Sequence, residues 1–232
     1  MSTPLSGPRL PPTASGPPGR LVILCHGYGA DGNDLISLGP HWQKLMPDAA
    51  FVAPNAPQPC AMGGTGYQWF PITRTDPTET ERGVTVATPV LEEFIKAELS
   101  HYQLTQDRLA LVGFSQGTMM ALHIGLRGDI NPAAIVGFSG TLTGGETLGD
   151  TIKSRPPVLL VHGDADNMIP PTAMYSAAQT MGRVGLGVQW HISQGVGHGI
   201  GPDGLSLAGH FLSDAFAGRF KGMQSGEAVP DA

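Results

Sequence analysis

A pentapeptide of the form Gly-x-Ser-x-Gly at residues 113–117 constrains the fold of this chain more than any other stretch. The mostly apolar residues 108–112 (RLALV) predict a strand before it, and residues 116–127 (QGTMMALHIGLR) predict a helix after it. A serine in so sharp a turn needs neighbours without a β-carbon, and the two glycines meet that need. The turn would present the hydroxyl of Ser115 above the sheet and bring the backbone N–H of Gln116 close to it.

The rest of the chain alternates short apolar runs with amphipathic stretches. The apolar runs predict further strands at 21–24, 51–54, 133–138, 158–161 and 186–192. The amphipathic stretches predict helices at 33–46, 83–102, 170–182 and 202–220. This alternation is typical of an α/β fold with a mostly parallel central sheet and helices on both faces. Only residues 139–156 separate two of the strands, which leaves no room for a separate cap domain.

The change in composition along the chain divides it into three predicted segments. Residues 1–19 contain six prolines and three glycines, so we expect a flexible, Pro-rich arm. Residues 20–221 should form one domain, because their length and apolar content suit a single core. Residues 222–232 should form a flexible tail.

Charge and cysteine content exclude several classes of protein. The net charge is −6 and charged residues make up 14% of the chain, whereas a nucleic-acid-binding protein would show a basic excess. No apolar run reaches the ~18 residues that a membrane-spanning helix needs, and no signal pattern begins the chain. Cys25 and Cys60 are too few for a disulfide framework and lack metal-site spacing. We therefore expect a cytoplasmic protein without a metal ion or other cofactor.

Polar residues suited to acyl transfer follow three of the predicted strands. Ser115 follows one, Asp166 a second, and His198 a third, in a loop where glycines flank it. A serine hydroxyl is a poor nucleophile unless an imidazole takes its proton and a carboxylate orients that imidazole. The order Ser, Asp, His matches a known hydrolase architecture. Asp164 is the alternative acid, although an aspartate that close to a strand often closes a turn instead.

Two loops could complete a site. His26 and Gly27 open a glycine-rich loop directly after the first predicted strand, which either supplies a second oxyanion donor or simply turns the chain into the next helix. The long loop at 57–70 contains Tyr67, Trp69 and Phe70. These three aromatic side chains could wall a substrate pocket, or Trp69 and Phe70 could anchor the loop in the core.

Five motifs taken together resemble one family of proteins. They lie at 24–29 (LCHGYG), 69–70 (WF), 113–117 (GFSQG), 162–166 (HGDAD) and 197–198 (GH). Their sequence and spacing resemble the phospholipase/carboxylesterase family of α/β hydrolases, which includes bacterial carboxylesterases and acyl-protein thioesterases. The resemblance extends over about residues 20–220. It implies the α/β-hydrolase fold.

The resemblance also implies a role for individual residues. It implies Ser115 as the nucleophile, His198 as the base and Asp166 as the carboxylate that orients the base. It implies that the backbone N–H groups of Tyr28 and Gln116 form the oxyanion hole. The side chain of Tyr28 would then help the aromatic loop to hold the acyl chain.

The chain departs from the family pattern at two places. Thr118 stands where the family usually has a further glycine, which could narrow the packing beneath the serine turn. The Pro-rich segment at 1–19 is not a family feature.

We interpret the sequence as that of a serine hydrolase that cleaves carboxylic esters or thioesters of short to medium acyl chains. Its partner would be a small-molecule ester, and a homodimer is compatible with the sequence. An acyl-protein thioesterase or a lysophospholipase is the alternative within this chemistry. A peptidase is disfavoured, because no region is evident that would hold a peptide. A non-catalytic binding protein of the same fold is disfavoured because all three triad residues are present.

Overall fold

The predicted apolar runs at 21–24, 51–54, 133–138 and 158–161 become parallel strands that are buried on both faces, whereas the run at 186–192 becomes a partly exposed edge strand. A computed structural model describes residues 4–61, 64–72 and 78–220. The strands are β1 (Arg9–Leu10), β2 (Arg20–Cys25), β3 (Ala49–Val52), β4 (Gln58–Pro59), β5 (Tyr67–Gln68), β6 (Leu109–Phe114), β7 (Ala134–Phe138), β8 (Val158–Gly163) and β9 (Val188–Ser193). The helices are α1 (Gly32–Ile36), α2 (Gly39–Trp42), α3 (Glu79–Tyr102), α4 (Gln116–Arg127), α5 (Leu148–Thr151), α6 (Thr172–Arg183) and α7 (Pro202–Phe216).

Seven of the described strands form the central sheet, in the order β1-β3-β2-β6-β7-β8-β9. Strand β1 runs antiparallel to β3, and the other neighbouring pairs in this sheet run parallel. Strands β4 and β5 form a separate hairpin within the long aromatic loop. Because the carboxyl ends of parallel strands meet at one edge, the loops after β2, β6, β8 and β9 converge there.

Helices cover both faces of the sheet and define two layers of core. Helices α3, α4 and α6 pack on one face, and α2 and α7 on the other. Between β7 and β8 the chain forms only a short 3₁₀ turn (Gly145–Thr147) and α5, so the predicted absence of a cap domain is confirmed there. Among the described residues, no helix is both long and apolar enough to cross a membrane.

The single helix predicted at 33–46 is wrong, since the structure has the two short helices α1 and α2 in that region. The second helix begins with Gly39 and Pro40, and a proline cannot continue a preceding helix because it lacks the N–H donor. Gly39 also lies against β1: a β-carbon there would be 2.7 Å from Cδ2 of Leu10.

The segment expected to be a flexible arm differs in the structure, where residues 4–19 lie along the domain. The carbonyl oxygens of Ser6 and Pro8 accept hydrogen bonds from the N–H groups of Asn55 and Ala53. Prolines suit such an edge position, because only one side of an edge strand must pair. Amino-acid composition could not predict this docking, because the contacts are made by backbone carbonyl groups, which all residues share. Residues 1–3 and the predicted tail at 222–232 lie outside the described residues.

An ion pair also holds this segment. The guanidinium of Arg9 in β1 forms a paired interaction with the carboxylate of Glu98 in α3. Glu98 is only 5% exposed, so its carboxylate depends on this partner for hydrogen bonds. The pair joins the edge of the sheet to the longest helix.

Deleting residues 1–18 should therefore lower the melting temperature. The deletion removes the β1 pairing and the Arg9 partner of the Glu98 carboxylate. Since Arg9 is itself partly exposed, we expect a loss of about 2 kcal/mol, and hence a decrease in Tm of about 4–8 °C by thermal unfolding.

Two substitutions separate the contributions to that loss. Arg9→Met should destabilise the protein while β1 stays paired, and Arg9→Met combined with Glu98→Gln should recover part of the stability because no buried charge is then unpaired. An unchanged Tm after deletion would contradict the docking of this segment.

Candidate active site

The strand-to-helix turn at Ser115 has the backbone geometry that the pentapeptide predicts. Ser115 has φ 53° and ψ −115°, a conformation that L-residues rarely adopt. A β-carbon at residue 117 would lie 1.8 Å from the carbonyl oxygen of Cys25, and one at residue 113 would lie 2.3 Å from the backbone of Gly117. Both flanking glycines are therefore required. The turn holds the serine in a strained and fixed position, as functional sites often do.

The structure brings together the side chains of Ser115, His198 and Asp166. Nδ1 of His198 lies 2.8 Å from Oδ2 of Asp166, and Nε2 of His198 lies 3.0 Å from Oγ of Ser115. Because the carboxylate can only accept, Nδ1 carries the proton, and Nε2 is free to accept from the serine hydroxyl. This arrangement is the one that nucleophilic catalysis by serine requires.

Asp166 is held as a carboxylate by several donors. Its Oδ1 accepts hydrogen bonds from the backbone N–H groups of Met168 (2.9 Å) and Ile169 (3.0 Å). Burial alone would raise the pKa of the Asp166 carboxyl, but the hydrogen bonds from His198 and from these two N–H groups outweigh it and lower the pKa. The group is therefore suited to stabilise a positive charge on the imidazole.

Asp164, the alternative acid, makes a different contact. Its Oδ1 accepts a hydrogen bond of 2.7 Å from the backbone N–H of Gly195, and its side chain is exposed. It therefore ties the turn after β8 to the loop that carries His198. The geometry favours Asp166 for the role of orienting carboxylate.

His162 is a site neighbour that sequence reasoning missed. Its Nε2 lies 2.8 Å from the carbonyl oxygen of Ile169, to which it donates, and 3.2 Å from Oδ2 of Asp166. The imidazole of His162 thus lies beside the same carboxylate oxygen that accepts the hydrogen bond from His198. The only signal in the sequence was its position four residues before Asp166 in the motif HGDAD.

The loop that carries His198 is fixed at both ends. Asp203, in the first turn of α7, accepts hydrogen bonds from Oγ of Ser193 (2.9 Å) and from Nε2 of His191 (2.8 Å). The hydrogen bond from His191 lowers the pKa of Asp203 to about 2. Oγ of Ser139 donates to the carbonyl oxygen of Gly199, next to His198. These contacts hold the imidazole against Ser115.

The two predicted oxyanion donors emerge side by side. Cys25 of β2 lies opposite Gly113 of β6 in the parallel register. Tyr28 and Gln116 each come three residues after these partners. Gln116 is the first residue of α4, where backbone N–H groups have no acceptor within the helix and the helix dipole favours negative charge. The two segments can therefore offer N–H groups to the same anion.

His26 supports the first of these segments. Its ring is fully buried, its Nδ1–H donates to the carbonyl oxygen of Gly27 (2.7 Å), and its Nε2 accepts from the N–H of Ala56 (3.0 Å). Burial lowers the pKa of His26. The imidazole is thus held neutral in one tautomer, and it fixes the turn instead of transferring protons.

Trp69 and Phe70 line a pocket between the aromatic loop and α3, although their side chains lie almost entirely in the core. Their side chains are only 1% and 2% exposed. The indole N–H of Trp69 donates to the carbonyl oxygen of His26, and Phe70 packs against Gly83 of α3. This burial favours the interpretation of both residues as core anchors, and a role for them in substrate binding stays a prediction. Tyr67 and Tyr28 are partly exposed, so they can still contact a substrate.

Thr118 fills space beneath the serine turn without distorting it. Its hydroxyl lies 2.8 Å from the carbonyl oxygens of both Gly113 and Phe138, so it donates to one of them. A β-carbon at residue 140 would lie 2.4 Å from Cβ of Thr118, and one at residue 137 would lie 2.5 Å from its Cγ2. Two glycines on neighbouring segments thus make room for the threonine.

The parallel sheet, the serine turn after β6, and the acid and histidine after β8 and β9 define an α/β hydrolase. Comparison with known proteins supports this assignment to the α/β hydrolases. The sequence profile of the phospholipase/carboxylesterase family matches residues 13–215, and the chain belongs to that family. The prediction of an ester-hydrolysing enzyme is thereby confirmed.

Individual relatives have similar length and architecture. The chain is 28% identical over 208 residues to acyl-protein thioesterase 1 of Gibberella zeae, covering 82% of this chain and 88% of that protein. It is 24% identical over 212 residues to the esterase YpfH of Escherichia coli, covering 87% and 89%. Among solved structures it is similar to esterase PE8, with a TM-score of 0.87 and 44% identity over 92% of this chain and 100% of that one.

Proposed function

We propose that this enzyme hydrolyses carboxylic esters of short to medium acyl chains through an acyl-enzyme formed on Ser115. The observation that carries the proposal is the pair of contacts from Asp166 to His198 (2.8 Å) and from His198 to Ser115 (3.0 Å). No other serine among the described residues has a hydrogen bond to a histidine that is itself bound to a carboxylate.

Acylation would begin when Nε2 of His198 takes the hydroxyl proton of Ser115 as Oγ attacks the carbonyl carbon of the ester. The backbone N–H groups of Tyr28 and Gln116 would bind the oxyanion of the tetrahedral intermediate. His198 would then return the proton to the departing alcohol or thiol. The product of this half-reaction is an ester between the acyl group and Ser115.

Deacylation would repeat these steps with water as the nucleophile. His198 takes a proton from water, the oxyanion forms again between the same two N–H groups, and the acid is released as Oγ recovers its proton. Throughout, the ionised Asp166 steadies the positive charge of the imidazolium. Its lowered pKa keeps it ionised at neutral pH.

The preference for short to medium acyl chains rests on the absence of a cap in the segment between β7 and β8. Surface loops must then hold the acyl chain, and Tyr28 and Tyr67 are partly exposed aromatic residues in two of these loops. Each buried methylene contributes at most ~0.8 kcal/mol until the groove is filled. Affinity should therefore level off with increasing chain length.

Thioester hydrolysis is the second candidate activity. It is favoured by the similarity to fungal proteins named acyl-protein thioesterase 1. The proposed steps serve a thioester equally, since the leaving thiolate needs less help from the His198 proton than an alkoxide does. Hydrolysis of a lysophospholipid would use the same steps on a substrate with a longer acyl chain.

A matched pair of substrate series tests the proposal. We expect p-nitrophenyl esters from acetate to palmitate to show kcat/KM rising to a maximum at a medium chain length and then falling. Thioesters with the same acyl groups should follow the same profile, because the acyl site is shared. A rate that keeps increasing up to palmitate would contradict the shallow groove, and the absence of turnover with both series would contradict the proposed function.

A further inference from the structure

We propose that Gln116, Trp69 and His26 form a brace that sets the spacing between the two oxyanion donors. We call these three residues the oxyanion brace. The inference rests on the proposed function, and it assigns all three as positioning residues because they act through the backbone of Tyr28 and Gln116.

The first part of the oxyanion brace is the side chain of Gln116, which clamps the aromatic loop. Its Oε1 accepts a hydrogen bond from the backbone N–H of Trp69 (2.9 Å), and its Nε2 donates to the carbonyl oxygen of Phe70 (2.8 Å). The side chain is buried, so both polar atoms depend on these two bonds. The residue whose backbone N–H would bind the oxyanion is thus held by its own amide.

The second part connects the aromatic loop to the other donor segment. The indole N–H of Trp69 donates to the carbonyl oxygen of His26 over 2.9 Å. The two rings also pack together, with centroids 5.6 Å apart. His26 in turn fixes the next peptide through its Nδ1–H bond to Gly27, directly before Tyr28. An unbroken series of buried contacts therefore runs from Gln116 to the residue beside Tyr28.

The brace matters because the sheet alone does not set the distance between the donors. Strand β2 pairs with β6 as far as Cys25 and Gly113, and β6 continues beside β7 only to Phe114, so Tyr28 and Gln116 both lie beyond the paired strands. An oxyanion hole needs donors about 2.7–3.1 Å from the developing charge. Gly117 packs directly against the end of β2, and the aromatic loop adds hydrogen bonds to both turns. Since the contacts are buried, water cannot simply replace a bond that is removed.

A defective brace should change kcat more than KM. The two N–H groups act on the charge that develops in the tetrahedral intermediate, whereas the ground-state ester depends less on them. Loss of a whole donor lowers kcat by about 10²–10³ elsewhere. A donor that is displaced but still present should lower kcat less, by about 10-fold.

The chain contains a matched control for the indole contact. Trp42 is also buried, and its indole N–H donates to the carbonyl oxygen of Leu205 over the same distance, 2.9 Å. It packs in the core layer on the other face of the sheet, between α2 and α7. Replacing either tryptophan by phenylalanine removes one buried N–H donor and leaves an aromatic ring.

The experiment compares Trp69→Phe with Trp42→Phe. Each variant is assayed for Tm and for kcat and KM on one p-nitrophenyl ester, with active sites counted by fluorophosphonate titration so that only folded enzyme enters kcat. A trifluoromethyl ketone probes the hole, because its hemiketal with Ser115 carries the oxyanion. We expect both variants to lose Tm, but only Trp69→Phe to lose about 10-fold in kcat with KM unchanged, and a similar factor in ketone affinity.

Gln116→Met provides a second variant if Trp69→Phe gives too little folded enzyme. It removes both amide contacts and retains the backbone N–H, so it should show the same loss of kcat and ketone affinity. Unchanged kcat and ketone affinity in the variants, with Tm lowered as in Trp42→Phe, would overturn the brace and leave only core packing. Wild-type enzyme without ester turnover would instead overturn the proposed function, and the brace with it.

Discussion

Ser115→Ala is expected to give a folded protein that hydrolyses esters more slowly by about three orders of magnitude or more. The substitution removes the nucleophile and leaves no group that could form the acyl-enzyme. The fold should persist, because alanine adopts the same backbone conformation and the hydroxyl bonds to the partly exposed His198, outside the core. Steady-state kinetics and a thermal unfolding curve measure both expectations.

Ser154→Ala is the control for the loss of a hydroxyl. Its Oγ donates to the carbonyl oxygen of Gly125, far along α4 from the serine turn. This variant should retain kcat and should still react with a fluorophosphonate, whereas Ser115→Ala should not react. Wild-type turnover by Ser115→Ala would contradict the assignment of the nucleophile.

The second large effect is expected for Asp166→Asn, which should lower kcat by about 10⁴. The amide N–H₂ would face Nδ1 of His198 and favour the tautomer with the proton on Nε2, which cannot accept from Ser115. It would also remove the charge that stabilises the imidazolium. KM should change far less, because the carboxylate does not reach the substrate.

Asp164→Asn is the matched control for this substitution. It makes the same chemical change two residues away, where the carboxylate accepts only the N–H of Gly195. An asparagine oxygen can accept that bond equally well, so kcat should fall by less than about 10-fold. If Asp164→Asn lowered kcat by about 10⁴ and Asp166→Asn left it nearly unchanged, Asp164 would be the catalytic acid. The contact between Asp166 and His198 would then not be the one used in catalysis.

Sequence alone predicted the sheet well because its central strands are buried on both faces. Such strands leave a continuous apolar run that no solvent-facing residue interrupts, as at 21–24 and 158–161. Strand β1 leaves no such run. It is two residues long, it lies between prolines, and it pairs through backbone carbonyls, which are common to all residues and leave no signal in composition.

The site was predictable to the extent that residue type and order carry chemistry. Ser115 and His198 could be singled out because few other functions explain a serine in a glycine-flanked turn and a histidine between glycines. Residue type and order alone did not separate Asp166 from Asp164, since both follow the same strand, and the choice of Asp166 came from the family resemblance. The roles of Trp69 and Gln116 depend on where a long loop crosses the molecule, which no local pattern encodes.

The fit of Thr118 between Gly137 and Gly140 has a consequence for how related sequences can vary. The three positions lie on a helix, on a strand and in the loop after it, yet they share one small volume. A larger residue at 137 or 140 would be tolerated only beside a smaller one at 118, so substitutions there should be compensatory and not independent. A threonine at 118 therefore requires glycine at both 137 and 140, so one packing contact ties together the identities of three residues that are separated in the sequence.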